Sequence, residues 1–144
     1  MRKLASCALC RTFAADIRKG RWVPAGPLIA IIDDDESMRK ALVALVRSAG
    51  YEGRGFASAD DFVGWGTVPS FGCVITDIQM PGMNGIELKK HLTASLLPVP
   101  VIMITAQHDP SLEQRAIVSG ADCFLRKPFE ADALIACLED ALKR

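Results

Sequence analysis

The 144-residue chain is the length of one domain, and half of its residues are apolar, enough to bury a core without staples. Its 17 basic and 17 acidic residues cancel, so no global field draws it to nucleic acid or to an anionic membrane, and direct nucleic-acid binding is not expected. No stretch reaches membrane-spanning length, and the apolar residues before Arg11 are too few for a secretory leader.

Residues 1–27 carry mixed charge without a sustained period and close on Pro24-Ala25-Gly26-Pro27, which cannot continue a helix. They are expected to be a flexible N-terminal extension, with the folded domain spanning 28–144. Cys7 and Cys10 lack the second pair or the histidines that a zinc site needs. Phe13 and Trp22 offer apolar contact to the domain or to a partner. Cys73, Cys123 and Cys137 fall in apolar runs, where a reduced thiol behaves as a small hydrophobe, so a cytoplasmic, disulfide-free protein is expected.

From Leu28 strands and helices alternate. Leu28 to Ile32 reads as a buried strand, and Met38, Ala41, Leu42, Leu45 and Val46 give Ser37 to Ala49 a helical period that Gly50 stops. A short strand over Glu52 to Phe56 precedes a brief helix that Ser58 caps, with Asp60 and Asp61 in its first turn. Cys73 to Thr76, Val101 to Ile104 and Cys123 to Leu125 read as three further strands, while Ile86 to Ala94, Ser111 to Ser119 and Ala131 to Leu142 carry helical periodicity. Nearly continuous apolar strands alternating with helices imply a parallel sheet covered on both faces, a doubly wound three-layer sandwich.

Ligands of such sheets sit beyond the carboxyl ends of the strands. Asp33, Asp34, Asp35 and Glu36 follow the first strand, Asp77 the third, Thr105 and Ala106 the fourth, and Lys127 the fifth. Acids in a first turn also serve the helix dipole, and Asp35 or Glu36 is expected to do so. A strand-end threonine usually bonds nearby backbone, and an isolated lysine is usually solvated. Their shared edge points elsewhere: carboxylates converging from neighbouring strands need a hard cation, and so short an acidic set suits Mg2+ better than Ca2+. A divalent ion, a lysine, a hydroxyl and backbone N–H groups are what phosphoryl transfer requires.

The segments Ile31-Ile32-Asp33-Asp34-Asp35, Asp77-Ile78-Gln79-Met80-Pro81-Gly82-Met83-Asn84-Gly85, Ile104-Thr105-Ala106 and Lys127-Pro128-Phe129 together resemble the receiver domain of two-component response regulators over residues 28 to 144. The resemblance implies a flavodoxin-like (βα)5 fold with a five-stranded parallel sheet in the order 2-1-3-4-5. It implies that Asp77 is the phosphoacceptor, and that Asp34, Asp77 and the Gln79 main-chain carbonyl bind Mg2+ while Asp33 acts through bound water. Lys127 and Thr105 would contact phosphoryl oxygens, with the backbone N–H groups of Ile78 and Ala106 completing the set. Thr105 and Phe124 would form the switch pair, and the Lys127-Pro128 bond would be cis. Asn84 stands where the family often has aspartate.

The same resemblance implies a phosphorylation-dependent signalling switch that takes its phosphoryl group from a histidine kinase or a histidine phosphotransfer protein, and that promotes its own phosphorylation and dephosphorylation. Gln79 and Gln107 would flank the path of the hydrolytic water. The chain ends at Lys143-Arg144, just past the last helix, so a single-domain regulator is expected, with output passing to a downstream protein or through a homodimer. Phe56-Ala57-Ser58-Ala59-Asp60-Asp61-Phe62 is similar to the corresponding region of regulators with helix-turn-helix outputs. Two alternatives stand beside the switch. One is an interaction module with the fold but no phosphorylation, against which the complete set of strand-end groups argues. The other is a phosphohydrolase using Asp33-x-Asp35, which leaves Asp77-x-x-Met-Pro unexplained.

Overall fold

The computed structural model describes residues 13–16, 21–24, 27–65, 71–95 and 99–143. Two short strands, β1 (Phe13–Asp16) and β2 (Arg21–Pro24), pair antiparallel, with Phe13 opposite Pro24 and Asp16 opposite Arg21. The sequence suggested no element there. Cys7, Cys10 and the side chains of Phe13 and Trp22 lie outside the described residues.

The strands β3 (Leu28–Ile32), β4 (Glu52–Phe56), β5 (Cys73–Asp77), β6 (Val101–Thr105) and β7 (Cys123–Arg126) form one parallel sheet in the order β4-β3-β5-β6-β7. Counted from Leu28 this is the expected order 2-1-3-4-5. Between the strands run α1 (Glu36–Ser48), α2 (Ala59–Gly64), α3 (Gly85–Ala94) and α4 (Pro110–Val118), and α5 (Ala131–Leu142) follows β7. The two-residue period of a strand sends alternate side chains to opposite faces. Ile29, Ile31, Ile75, Ile102 and Ile104 therefore meet Leu42 and Val46 of α1 and Leu134 and Leu138 of α5. Ala30, Ile32, Val74, Val101 and Met103 meet Phe62 of α2, Leu88 and Leu92 of α3 and Leu112 of α4.

Local chemistry sets the element ends. Asp35 caps α1 by accepting from the Ser37 and Met38 N–H groups, and Ser58 caps α2 by accepting from Asp61 N–H. After α1 the chain reverses at Gly50, whose φ of 97° suits glycine. Asn84 caps α3 in a capping box with Glu87, the local use of the residue that departs from the family's aspartate.

One expectation is overturned. Cys123 of β7 and Cys137 of α5 are joined by a disulfide, while Cys73 is a buried free thiol. Strand and helix are neighbours on one face of the sheet, which brings residues 14 apart in sequence to a Cα separation of 6.1 Å. Apolar surroundings predict a buried thiol and say nothing of which other thiol lies across the interface. Among the described residues no helix is long and apolar enough to cross a membrane.

Candidate functional site

The parallel register levels the carboxyl ends of the strands: Ile32 lies beside Thr76, Asp77 beside Ile104, and Thr105 beside Arg126. Each next residue then emerges at one edge, which gathers Asp33, Asp34, Asp77, Thr105, Ala106 and Lys127. Gly85 opens α3 directly against this edge. A Cβ there would stand 2.9 Å from the Asp77 carbonyl oxygen and 3.1 Å from Ile78 Cα, so only glycine lets the helix approach so closely. Met80 and Met83 pack on the core beneath the connecting loop.

Asp33 is 2 % exposed and Asp77 9 %, whereas Asp34 faces solvent. Carboxylate oxygens of all three lie within 4.8 Å of one another. Lys127 Nζ donates to Asp77 Oδ2 at 3.2 Å and to Asp33 Oδ2 at 3.4 Å. The Lys127-Pro128 bond is cis.

Burial pushes the Asp77 carboxyl above the usual carboxylate range. Lys127 opposes that, Asp33 reinforces it, and the Gln79 N–H opposes it again, with the balance remaining upward. Burial alone would lower Lys127, but Asp77 and Asp33 outweigh it and hold the ammonium above its ordinary value. One ammonium among three carboxylates leaves net negative charge, and the available donors are hard oxygens with a solvent-facing side. That combination fits a small divalent cation that keeps part of its water shell.

Two expected roles look different in the structure. The Ile78 N–H donates to the Ile104 carbonyl at 2.8 Å, the bond its strand-end position favours, so it is not directed at the carboxylates. The backbone donor that reaches Asp77 is Gln79 N–H, at 3.1 Å from Oδ1. Loop curvature decides this, and a motif does not encode it. Thr105 is fully buried, and its hydroxyl accepts from Gln107 N–H at 3.1 Å. Its carbonyl accepts from Lys127 N–H at 2.8 Å, tying the Thr105 backbone to the lysine. Phe124 is half-buried against the core, and the Arg126 guanidinium lies 5.8 Å from its ring centre. Ala106 is exposed beside the cluster. Sequence reasoning also passed over Arg39, which donates to the Asp33 main-chain carbonyl at 2.7 Å. A cation one turn into a surface helix carries no local signal.

A family model described as "Response regulator receiver domain" matches residues 29–139. The chain is 42 % identical over 116 residues to the transcriptional regulatory protein FixJ of Bradyrhizobium diazoefficiens, covering 81 % of this chain and 57 % of that one. It is 38 % identical over 111 residues to the C4-dicarboxylate transport transcriptional regulatory protein DctD of Rhizobium meliloti, covering 77 % and 24 %. The chain thus spans little more than half of FixJ. Among solved structures, FixJ-N superposes with a TM-score of 0.76 at 32 % identity, covering 82 % of this chain and 94 % of that one. The chemotaxis protein CheY4 of Vibrio cholerae superposes at 0.74 and 28 % identity, covering 82 % and 100 %. With the fold, the strand-end groups and these similarities in agreement, the chain belongs to the response regulator receiver domain family.

Proposed function

We propose that the chain is a phosphorylation-dependent switch of a two-component system, in which Asp77 accepts a phosphoryl group from a histidine kinase or a histidine phosphotransfer protein. The observation that carries this reading is the convergence of Asp33, Asp34, Asp77 and Lys127 at one sheet edge. Asp34, Asp77 and the Gln79 carbonyl are the groups assigned to Mg2+, with Asp33 acting through water. When bound there, the ion supplies positive charge against the phosphoryl oxygens.

The remaining work falls to the chain's own residues. An Asp77 carboxylate oxygen forms the new bond to phosphorus as the donor histidine's N–P bond breaks, and that electron pair stays on the imidazole nitrogen. Lys127 meets the charge of the incoming group, and the backbone N–H groups of Gln79 and Ala106 are candidates for the other oxygens. Thr105 exchanges its bond with Gln107 N–H for one to the phosphoryl group. Through the Thr105 carbonyl and Lys127 N–H that shift reaches β7, where Phe124 repacks and alters the face made by α4, β7 and α5.

An apolar groove of about 260 Å3, lined by Met38, Leu42, Leu45, Pro128 and Phe129, opens beside Lys127 and would seat the donor protein. Output passes through a downstream protein or a homodimer, and the balanced charge argues against direct contact with nucleic acid. The named FixJ and DctD relatives are transcriptional regulators, and control of transcription is the end this switch would serve.

Intact-mass measurement after incubation with acetyl phosphate and Mg2+ tests the reading. One added phosphoryl group is expected in the wild type and none in Asp77→Asn or with EDTA. An adduct that persists in Asp77→Asn would overturn the acceptor assignment. No adduct and no Mg2+ binding would favour a non-phosphorylated interaction module.

A further inference from the structure

Arg39 stands in the first turn of α1, where a positive charge opposes the helix dipole, and close to a site assigned to a divalent cation, where it opposes that charge as well. The acidic run from Asp33 to Glu36 attracts it, and Lys40 and then Arg39 hold the Glu36 carboxyl below its usual range, but that attraction does not say where the guanidinium goes, and the geometry does. The guanidinium donates from Nη1 to the Asp33 main-chain carbonyl at 2.7 Å. On the other side of the same residue, Asp33 N–H donates to the Phe56 carbonyl at 3.1 Å. The Asp33 carboxylate is held in turn, accepting from Asp35 N–H at 2.9 Å and from Lys127 Nζ at 3.4 Å. Asp33 is thus fixed from α1, from β4 and from Lys127 just past β7, and Arg39 supplies the anchor from α1.

The neighbouring strand leaves room for this reach. Arg39 crosses β4 at Gly55, where a Cβ would stand 2.9 Å from Arg39 Cγ and 3.0 Å from Cδ. Gly55 pairs with Ile31 in regular parallel register, and glycine is a poor strand residue. The missing side chain is explained by the stem that lies over it.

We propose that Arg39 is a positioning residue for the acidic pair: bedded over Gly55 and bonded to the Asp33 carbonyl, it sets the turn that presents Asp33 and Asp34 to Mg2+. The proposal rests on the Mg2+ reading given above. It makes a prediction opposite in sign to that of charge alone. Removing a nearby positive charge would tighten Mg2+ binding, whereas losing a positioning contact weakens it.

The experiment is calorimetric titration of Mg2+ into the full chain, as wild type, Arg39→Met, Gly55→Ala and the double variant, with amide hydrogen exchange of the metal-free proteins. Arg39→Met removes the guanidinium. Gly55→Ala keeps the charge, displaces the stem and favours the strand, so it guards against a variant that fails to fold. Each single variant should raise the Mg2+ Kd about three- to tenfold, as expected for one lost charge-assisted hydrogen bond acting at one remove. The double variant should be no worse than Arg39→Met, because both break one contact. Exchange at the Asp35 amide should quicken, while that of Ile31 and Ile75 in the central strands stays as in the wild type. An unchanged or lower Kd in Arg39→Met, or additive effects in the double variant, would overturn the proposal. A wild type that binds no Mg2+ would sink the metal reading, and this proposal with it.

Discussion

The centre and the edge of the sheet are built differently. Every residue of β5 and β6 is buried, while all four of β7 are only half-buried, with β6 as the single strand neighbour among the described residues. The central strands carry Asp77 and the backbone of Thr105, which in the proposed switch are the groups to be held in place. The edge strand carries Phe124 and leads into Lys127, which in that proposal are the groups that respond when the site changes. Packing density sets how costly opening is: a strand buried along its whole length opens at high cost, and a half-buried edge strand at lower cost.

Truncating the two kinds of strand measures that contrast most directly. Ile75→Ala, in a position 1 % exposed, should lose about 2 to 5 kcal/mol in urea unfolding, the range for emptying a well-packed aliphatic site. Leu125→Ala, on the half-buried β7, should lose about 1 to 2 kcal/mol, since less surface leaves water there on folding. Equal losses would erase the distinction between centre and edge.

A smaller effect should come from the charge at the centre. A carboxyl whose folded pKa is raised binds its proton more tightly folded than unfolded. Its contribution to stability is therefore present below the ordinary carboxylate range and is lost as pH climbs through the raised folded value. Above that value the ionised Asp77 is a burden on the metal-free fold. Asp77→Asn should raise the Tm of the metal-free protein at pH 7, with the difference shrinking towards acid, and should remove the further rise that Mg2+ gives the wild type. A variant less stable than the wild type at pH 7 would show that the Lys127 contact outweighs burial.

These contrasts were only partly legible in the sequence. The apolar runs from Leu28 and Val101 gave the strands because burial on both faces leaves a continuous pattern, and Asp77 and Lys127 stood out because a polar residue straight after such a run marks the sheet edge. β7 read from its residues as one more apolar strand, and its place at the sheet edge came only with the order 2-1-3-4-5 that the resemblance implied, since periodicity reports residue type and not how many strands flank it. The Gln79 N–H and the Arg39 anchor were illegible for a related reason: one depends on how a loop curves, the other on a side chain crossing a neighbouring strand at Gly55. The Cys123–Cys137 link was missed because pairing needs the α5-to-β7 packing, which no local pattern records.

The cysteines give the finest version of the comparison, one thiol at the centre against two at the edge. Cys73 opens β5 with no exposed surface, and burial pushes its thiol up to about 12, with Asp122 adding to the shift. Cys123 and Cys137 sit half-buried and joined. Thiolate is the reactive form, so at pH 8 the folded protein should leave Cys73 unmodified by iodoacetamide. Peptide mapping of the non-reduced chain should recover Cys123 and Cys137 in one linked fragment. After reduction these two should alkylate in the folded state, and Cys73 only once the protein is unfolded. Rapid native labelling of Cys73 would mean that β5 opens to solvent as readily as the edge, and the rigid centre would have to be given up.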